Sequence, residues 1–210
     1  GKTTTLLDLV DQFLKAGVDS KRIGYFSFTR KAAEEASSRA AEKFNLDAQD
    51  DLPFFRTLHS LAFRTLGTKR EQVMQTRDYK DFGSKVGITI KLNHATNSDA
   101  DGTFTSDNEY LSIISKACVT ERDVMDVYDD NNHYLDIERD TLYLLDRELK
   151  RYKKEKGMID YGDMLQGFVD SDLAPSFDIL FIDEAQDLSA IQWQMVKTLW
   201  RRSNDTYIAG

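Results

Sequence analysis

Apolar positions along the chain follow two rhythms, one helical and one strand-like, and their alternation outlines the fold. Leu6, Leu7, Val10, Phe13 and Leu14 recur at helical spacing and stop at Gly17, which predicts a first helix. Residues 22–29, rich in aromatic and β-branched side chains, predict a strand, and residues 30–44 a helix of alanines with Glu34, Glu35, Arg39 and Lys43. A polar loop over 45–53 leads to a short strand at 54–57 and an amphipathic helix at 59–66, ended by Gly67. From 68 to about 139 this rhythm gives way to helical patches at 70–82, 108–119 and 121–128, separated by polar loops such as 93–106. A long helix is expected from about 136 to 156, stopped by Gly157. Asp160 is placed to cap the next helix, whose Met164, Leu165, Phe168 and Val169 form an apolar stripe. The run Phe177, Ile179, Leu180, Phe181, Ile182, bounded by Pro175 and by charge, predicts a buried parallel strand. Ser189 and Gln192 make a capping box ahead of Ile191, Met195, Val196, Leu199 and Trp200, and a final strand is expected at 206–209.

Composition narrows the class. A chain of 210 residues suffices for one core, or one core with an inserted lobe, and 40% hydrophobic residues is ordinary for a globular protein. No signal peptide or membrane span is visible, and no membrane partner is expected. The lone Cys118 excludes disulfide scaffolds and cysteine metal sites, and points to a reducing cytoplasm. His59, His94 and His133 lack ligand spacing, so no zinc is expected. A net charge of -8 speaks at first against nucleic acid, but residues 99–146 hold thirteen acidic and three basic residues, a balance of -10, which leaves +2 for the rest. The acid is concentrated in one segment. The chain opens without Met and stops at residues 207–210 in what reads as a strand-to-loop transition, so a fragment is expected.

Two stretches carry chemistry. Beyond the apolar run stand Asp183, Glu184, Ala185, Gln186 and Asp187, at the carboxyl end of a strand, where open α/β sheets bind ligands. Adjacent carboxylates there suit a nucleotide site: one holds Mg²⁺ through water while its neighbour orients and deprotonates an attacking water. The plainer reading is a solvated acidic turn. Gly1-Lys2-Thr3 matches the last three positions of a phosphate-binding loop, whose amides cradle phosphate, whose lysine reaches the β and γ phosphates and whose hydroxyl ligates Mg²⁺. The helix that follows supplies the N-terminus such a site needs. The basic run Arg147, Lys150, Arg151, Lys153, Lys154 and Lys156 suits either nucleic acid or a solvated helix face.

Taken together and in this order, these stretches resemble the UvrD/PcrA/Rep group of superfamily 1 helicases. Gly1-Lys2-Thr3 corresponds to the end of the phosphate loop. Phe28-Thr29-Arg30-Lys31-Ala32-Ala33 is similar to the family's FTNKAA stretch, with Arg30 in place of Asn. Thr57-Leu58-His59-Ser60 is similar to TFHS, with Leu58 in place of Phe, and residues 159–165 resemble VDFxDLL. Asp183-Glu184-Ala185-Gln186-Asp187 matches DExQD.

The resemblance implies a RecA-like P-loop NTPase sheet with an inserted α-helical subdomain. It divides the chain into a discontinuous ATP-binding domain, 1–67 with 157–210 and truncated at both ends, and a mainly helical subdomain, 68–156. It implies ATP and Mg²⁺ as cofactors: Gly1, Lys2, Thr3 and Thr4 on the phosphates, Thr3 and Asp183 on the metal, Glu184 as general base, and Gln186 as sensor of the γ-phosphate. For Gln186 a helix-capping amide is the plainer role. Phe28, Thr29, Arg30, Thr57, His59 and Asp160 would contact single-stranded DNA, although Phe28 equally suits a core position. Implied partners are single-stranded DNA, duplex junctions and a second RecA-like domain of the same full-length chain, in the cytoplasm of a bacterial or phage-infected cell. The Gln-Asp pair favours 3'-to-5' movement over the 5'-to-3' branch. An ATP-independent binding module on a decayed fold and a nucleotide kinase are the competing readings. The intact Lys2, Thr3, Asp183 and Glu184 disfavour the first, and the strand-contact stretches disfavour the second.

Overall fold

The computed structural model describes residues 2–90, 108–131 and 137–210, with Lys2 described by its backbone alone. Four strands, β1 (Ile23–Ser27), β2 (Phe55–Thr57), β3 (Phe177–Asp183) and β4 (Ser203–Ile208), form one parallel sheet in the order β2-β1-β3-β4. Every residue of β1 is buried, and so are all of β3 except Asp178, as expected of strands covered on both faces.

One face is covered by α1 (Lys2–Lys15) and α2 (Arg30–Phe44), whose Leu6, Val10, Ala36 and Ala40 pack on Tyr25, Phe55, Ile179 and Phe181. Asp11 of α1 ties the two helices together, 3.0 Å from Lys15 Nζ and 2.7 Å from Lys43 Nζ. The other face is covered by α3 (Leu58–Thr65) and by two later helices, residues 161–170 and 190–200, through Leu58, Leu61, Phe168, Ile191 and Met195 on Phe26, Leu180 and Ile182.

Along the chain, α4 (Thr76–Val86), α5 (Glu109–Val119), α6 (Val124–Asn131), α7 (Arg139–Lys156) and α8 (Tyr161–Asp170) follow α3 and precede β3, and α9 (Ala190–Trp200) links β3 to β4. Helices α4 to α7 bury their own apolar clusters, one around Tyr79, Phe82, Leu111, Leu145 and Leu149, another around Ile113, Val127 and Leu142. Val119, at the end of α5, instead joins the core on the α3 side of the sheet.

Several boundaries differ from the sequence reading, each for a local reason. Phe28 and Thr29 fall outside β1 because Thr29 serves as the N-cap of α2. The helix expected at 70–82 is broken: the Met74 N–H donates to the Ile159 carbonyl at 2.9 Å and the Ile159 N–H to the Gln72 carbonyl at 2.8 Å, so only a 3-10 turn, Arg70–Gln72, forms before α4 starts. Glu121, at φ 54°, ends the preceding turn and delays α6 to Val124. Strand β4 begins at Ser203, earlier than expected. The expected loop 93–106 and the start of the long helix at 136 lie outside the described residues.

Candidate nucleotide and strand sites at the carboxyl edge

Strand β3 ends on Asp183, which is 1% exposed. Alternation along the strand puts Ile179, Phe181 and Asp183 on the face that carries Tyr25 of β1. The Tyr25 hydroxyl donates to Asp183 Oδ2 at 2.8 Å, and the Glu184 N–H donates to Oδ1 at 3.0 Å. Burial first, then this hydrogen bond, hold the Tyr25 hydroxyl well above its ordinary pKa, so it stays a donor at any working pH.

Glu184 takes the left-handed conformation, φ 53° and ψ 41°, which is uncommon for a residue with a Cβ, and turns the chain at once into the 3-10 turn Ala185–Asp187. That turn is pinned from β4. The Ala185 N–H donates to the Ala209 carbonyl at 2.8 Å, and the Ala209 N–H to the Ile182 carbonyl at 2.9 Å. Gln186 Nε2 donates to Glu184 Oε2 at 2.6 Å and to Asp187 Oδ2 at 3.0 Å, bridging the two carboxylates. A Cβ on Gly210 would stand 2.9 Å from both the backbone nitrogen and Oε1 of Gln186, so the chain leaving β4 needs glycine to pass there. Among the described residues, the donors to Asp183, Glu184 and Asp187 are uncharged.

The start of α1 holds Thr3, half-buried, and Thr4, exposed, in its first turn, while Gly1 and the Lys2 side chain lie outside the described residues. Further along the edge, Ser27 is in register with both Thr57 and Asp183, so the segments leaving β1 and β2 emerge side by side. Thr29 and Thr57 play matching parts there: their Oγ1 atoms accept the N–H groups of Ala32 and Ser60, each at 3.2 Å, and cap α2 and α3. Phe28 is half-buried and packs into neither sheet core. Arg30 is exposed, its Nε 2.7 Å from Glu34 Oε1. His59 is 8% exposed, with its ring edge-on to Tyr161 at 5.8 Å, so it faces a neighbouring ring rather than open solvent. Through Tyr161 the edge also reaches Asp160, the N-cap of α8.

The sequence model of one protein family, the UvrD/REP helicase N-terminal domain, matches residues 1–210. The chain belongs to that family. With membership come helicase, ATP-binding, DNA-binding and hydrolase character on a P-loop scaffold, and the parallel sheet with helices on both faces is the RecA-like architecture such a helicase domain needs. No curated protein matches the chain.

For this UvrD/REP-type domain, the side chains at the edge fit a nucleotide-borne magnesium ion. The Asp183 carboxylate, whose two oxygens each take a single hydrogen bond among the described residues, and the Thr3 hydroxyl are hard oxygens of the kind such an ion would take. Among the described residues no group of three or more His, Cys, Asp or Glu side chains gathers into a cage, so an ion here would rely on phosphate and water for most of its shell.

Asp160 is engaged differently. Its Oδ1 accepts the Asp163 N–H and Asp163 Oδ2 accepts the Asp160 N–H, both at 2.9 Å, a reciprocal capping box. Lys153 Nζ, from α7, lies 2.7 Å from Asp160 Oδ2 and 2.7 Å from Asp163 Oδ2. Burial pulls the Lys153 ammonium down, but Asp160 and Asp163 outweigh it and leave its pKa above the ordinary value, while burial and Asp160 push the Asp163 carboxyl up. Beside this joint Cys118 Sγ fills the space that a Cβ on Gly162 would occupy, and burial, then the two aspartates, push its thiol up to about 12.

Tyr25 and Tyr161 escape the sequence reading as site residues. The first carried a usable signal, a phenol inside an otherwise apolar strand, whose hydroxyl needs a partner when buried. Tyr161, 39% exposed beside His59, carried none beyond its place after Asp160.

Proposed function

We propose that the full protein hydrolyses ATP to move 3'-to-5' along single-stranded DNA and open duplex junctions, with a second RecA-like domain of the same chain completing its catalytic site. The observation that carries this reading is the acidic turn, where, among the described residues, the donors to Asp183 and Glu184 are a hydroxyl, a backbone N–H and an amide, none of them charged.

Lys2 reaches the β and γ phosphates, with the amides of Gly1, Lys2, Thr3 and Thr4 around them. Thr3 and Asp183 would hold Mg²⁺, which would supply charge neutralisation for phosphoryl transfer. Glu184 accepts the proton of the attacking water, and Gln186, already hydrogen-bonded to it, is placed to report the γ-phosphate to the rest of the turn. Phe28, Thr29, Arg30, Thr57, His59 and Asp160 form the strand-contact edge, Phe28 as a stacking face and Arg30 as a phosphate contact. For His59 and Asp160 this role requires rearrangement, because the one ring packs on Tyr161 and the other carboxylate holds Lys153. The ATP-binding domain comprises 1–67 and 157–210, and 68–156 is an inserted lobe with its own apolar clusters. A cytoplasmic setting suits this work, and among the described residues no helix is long and apolar enough to cross a membrane.

The test uses the full-length protein, with DNA-stimulated hydrolysis and unwinding of 3'-tailed and 5'-tailed duplexes as readouts. Glu184→Gln should retain ATP binding and lose about 10²- to 10⁴-fold in hydrolysis, the usual contribution of a positioned base. Near-normal turnover removes Glu184 from that role. Preferential opening of 5'-tailed duplexes removes the polarity.

A further inference from the structure

We propose that Arg56, with Arg64 beside it, is a docking point for a backbone phosphate of single-stranded DNA on the outer flank of β2. The proposal rests on the DNA-binding reading above and extends it to two residues that neither the motif matches nor the capping pattern singles out.

Arg56 is the middle residue of β2, and β2 is an edge strand of the described sheet. Phe55 before it is buried in the core under α1 and α2, so alternation turns Arg56 to the opposite face, where its register partner Phe26 is buried under α3. The side chain is half-buried there and its Nε is fully shielded from water, yet Nε meets no hydrogen-bond acceptor among the described residues. Burial, then the nearby Arg64 cation, lower the guanidinium from 12.5 to about 10, and among the described residues no carboxylate offsets either effect. Arg64 itself is exposed on α3.

This is the reverse of how the chain treats Lys153, another sheltered cation among the described residues. Lys153 is 12% exposed and holds two carboxylates at 2.7 Å. A sheltered charge is normally paired, because losing water without gaining a counter-ion is unfavourable. At Arg56 the neighbouring charge is a second cation and the shielded Nε has no acceptor among the described residues, so its partner comes from outside them. Two adjacent guanidinium groups present planar donor forks suited to the oxygens of a phosphate. The position favours a nucleic-acid phosphate over an acidic protein segment: Arg56 directly precedes Thr57, the first residue of the proposed strand-contact stretch, so a strand lying over Thr57 passes beside it.

The experiment measures affinity of the full-length protein for an oligo(dT) strand across a salt series, together with the melting temperature without DNA. Arg56→Met keeps the aliphatic volume and removes the charge and the fork, and Arg64→Gln, at an exposed site, guards against misfolding of the first variant. Each variant should bind more weakly, with the slope of log affinity against log salt reduced by about 0.7, the value of one phosphate contact to a single strand. Arg56→Met should melt at or above the wild-type temperature, since it removes an unpaired charge. An unchanged salt slope in both variants overturns the proposal. If Arg56→Met also melts lower, the slope still unchanged, the partner is an acidic segment of protein. Failure of the wild type to bind oligo(dT) would sink the DNA reading itself, and this proposal with it.

Discussion

Asp183 and Asp160 both use a carboxylate to receive a backbone N–H at the end of an element, yet the two regions around them handle negative charge in opposite ways. At the joint of α7 and α8, the charges of Asp160 and Asp163 are met by the ammonium of Lys153. At the end of β3, the donors are the Tyr25 hydroxyl, a backbone N–H and the Gln186 amide. Among the described residues both sets supply hydrogen bonds, but only the first cancels charge. A carboxylate pair that is oriented without being neutralised keeps an electrostatic demand that a bound cation can meet. One that is neutralised internally acts as a fastener between α7 and α8. The presence of paired carboxylates therefore does not distinguish a site from a joint, whereas the charge of their donors does.

The comparison breaks most visibly if the joint loses its cation. Lys153→Met leaves two sheltered carboxylates facing each other and should cost about 3 kcal/mol, the low end for breaking a buried pair because Asp163 keeps a third of its side chain in water. Denaturant titration measures this, and ATP affinity per folded molecule should not change. A smaller loss is expected from Gly162→Ala, where the new methyl must displace Cys118 Sγ, at roughly 1–3 kcal/mol for overpacking. Combining it with Cys118→Ala should recover most of that loss, and strictly additive losses in the double mutant would show that the two do not touch.

Tyr25→Phe sharpens the other side. It removes one uncharged donor to Asp183, so stability should fall by no more than about 1.5–3 kcal/mol, the range for a hydrogen bond to a charged group, while ATP hydrolysis falls as the carboxylate loses its fixed orientation. A drop in stability with hydrolysis intact would make Tyr25 a packing residue only.

Which parts of this contrast could be read from the sequence follows from how far each interaction reaches along the chain. Asp183 and Glu184 were legible because an apolar run aims them, and Asp160 as a cap whose partner lies three residues away, whereas Thr29 and Thr57, which cap over the same short distance, read as the ends of strands. The Tyr25–Asp183 bond spans 158 positions and Tyr152–Asp81 spans 71, distances over which periodicity carries no information. Lys153 was hidden inside a basic run that reads as one face. Helical geometry turns it inward, at 12% exposure, while Lys150 and Lys154 stay in water. The break before α4 was equally hidden, since Ile159 supplies the backbone partners that replace helix at Gln72 and Met74.

The smallest expected effect is in pH. The Asp11 carboxyl lies below its ordinary value of 3.8, held there first by the hydrogen bond from Lys43 and then by that from Lys15, so its contribution is complete above 3.8 and is lost as pH falls through the lower folded value. Lys153 lies above its ordinary 10.5, so its contribution is complete below 10.5 and is lost as pH rises through the higher folded value. The stability gap between wild type and Asp11→Asn should therefore close in acid, and that between wild type and Lys153→Met in alkali. Denaturation curves at several pH values check both signs.

The central claim, that uncancelled carboxylates serve a ligand and cancelled ones serve the fold, is tested most directly by melting the full-length protein with and without Mg²⁺ and ATP for Asp183→Asn and Asp160→Asn. The account predicts that Asp160→Asn lowers the melting temperature of the free protein and keeps the ligand-induced rise. Asp183→Asn should leave the free protein as stable as wild type, or more so, and abolish that rise. A free protein destabilised by Asp183→Asn that still gains full stability from Mg²⁺ and ATP would contradict it.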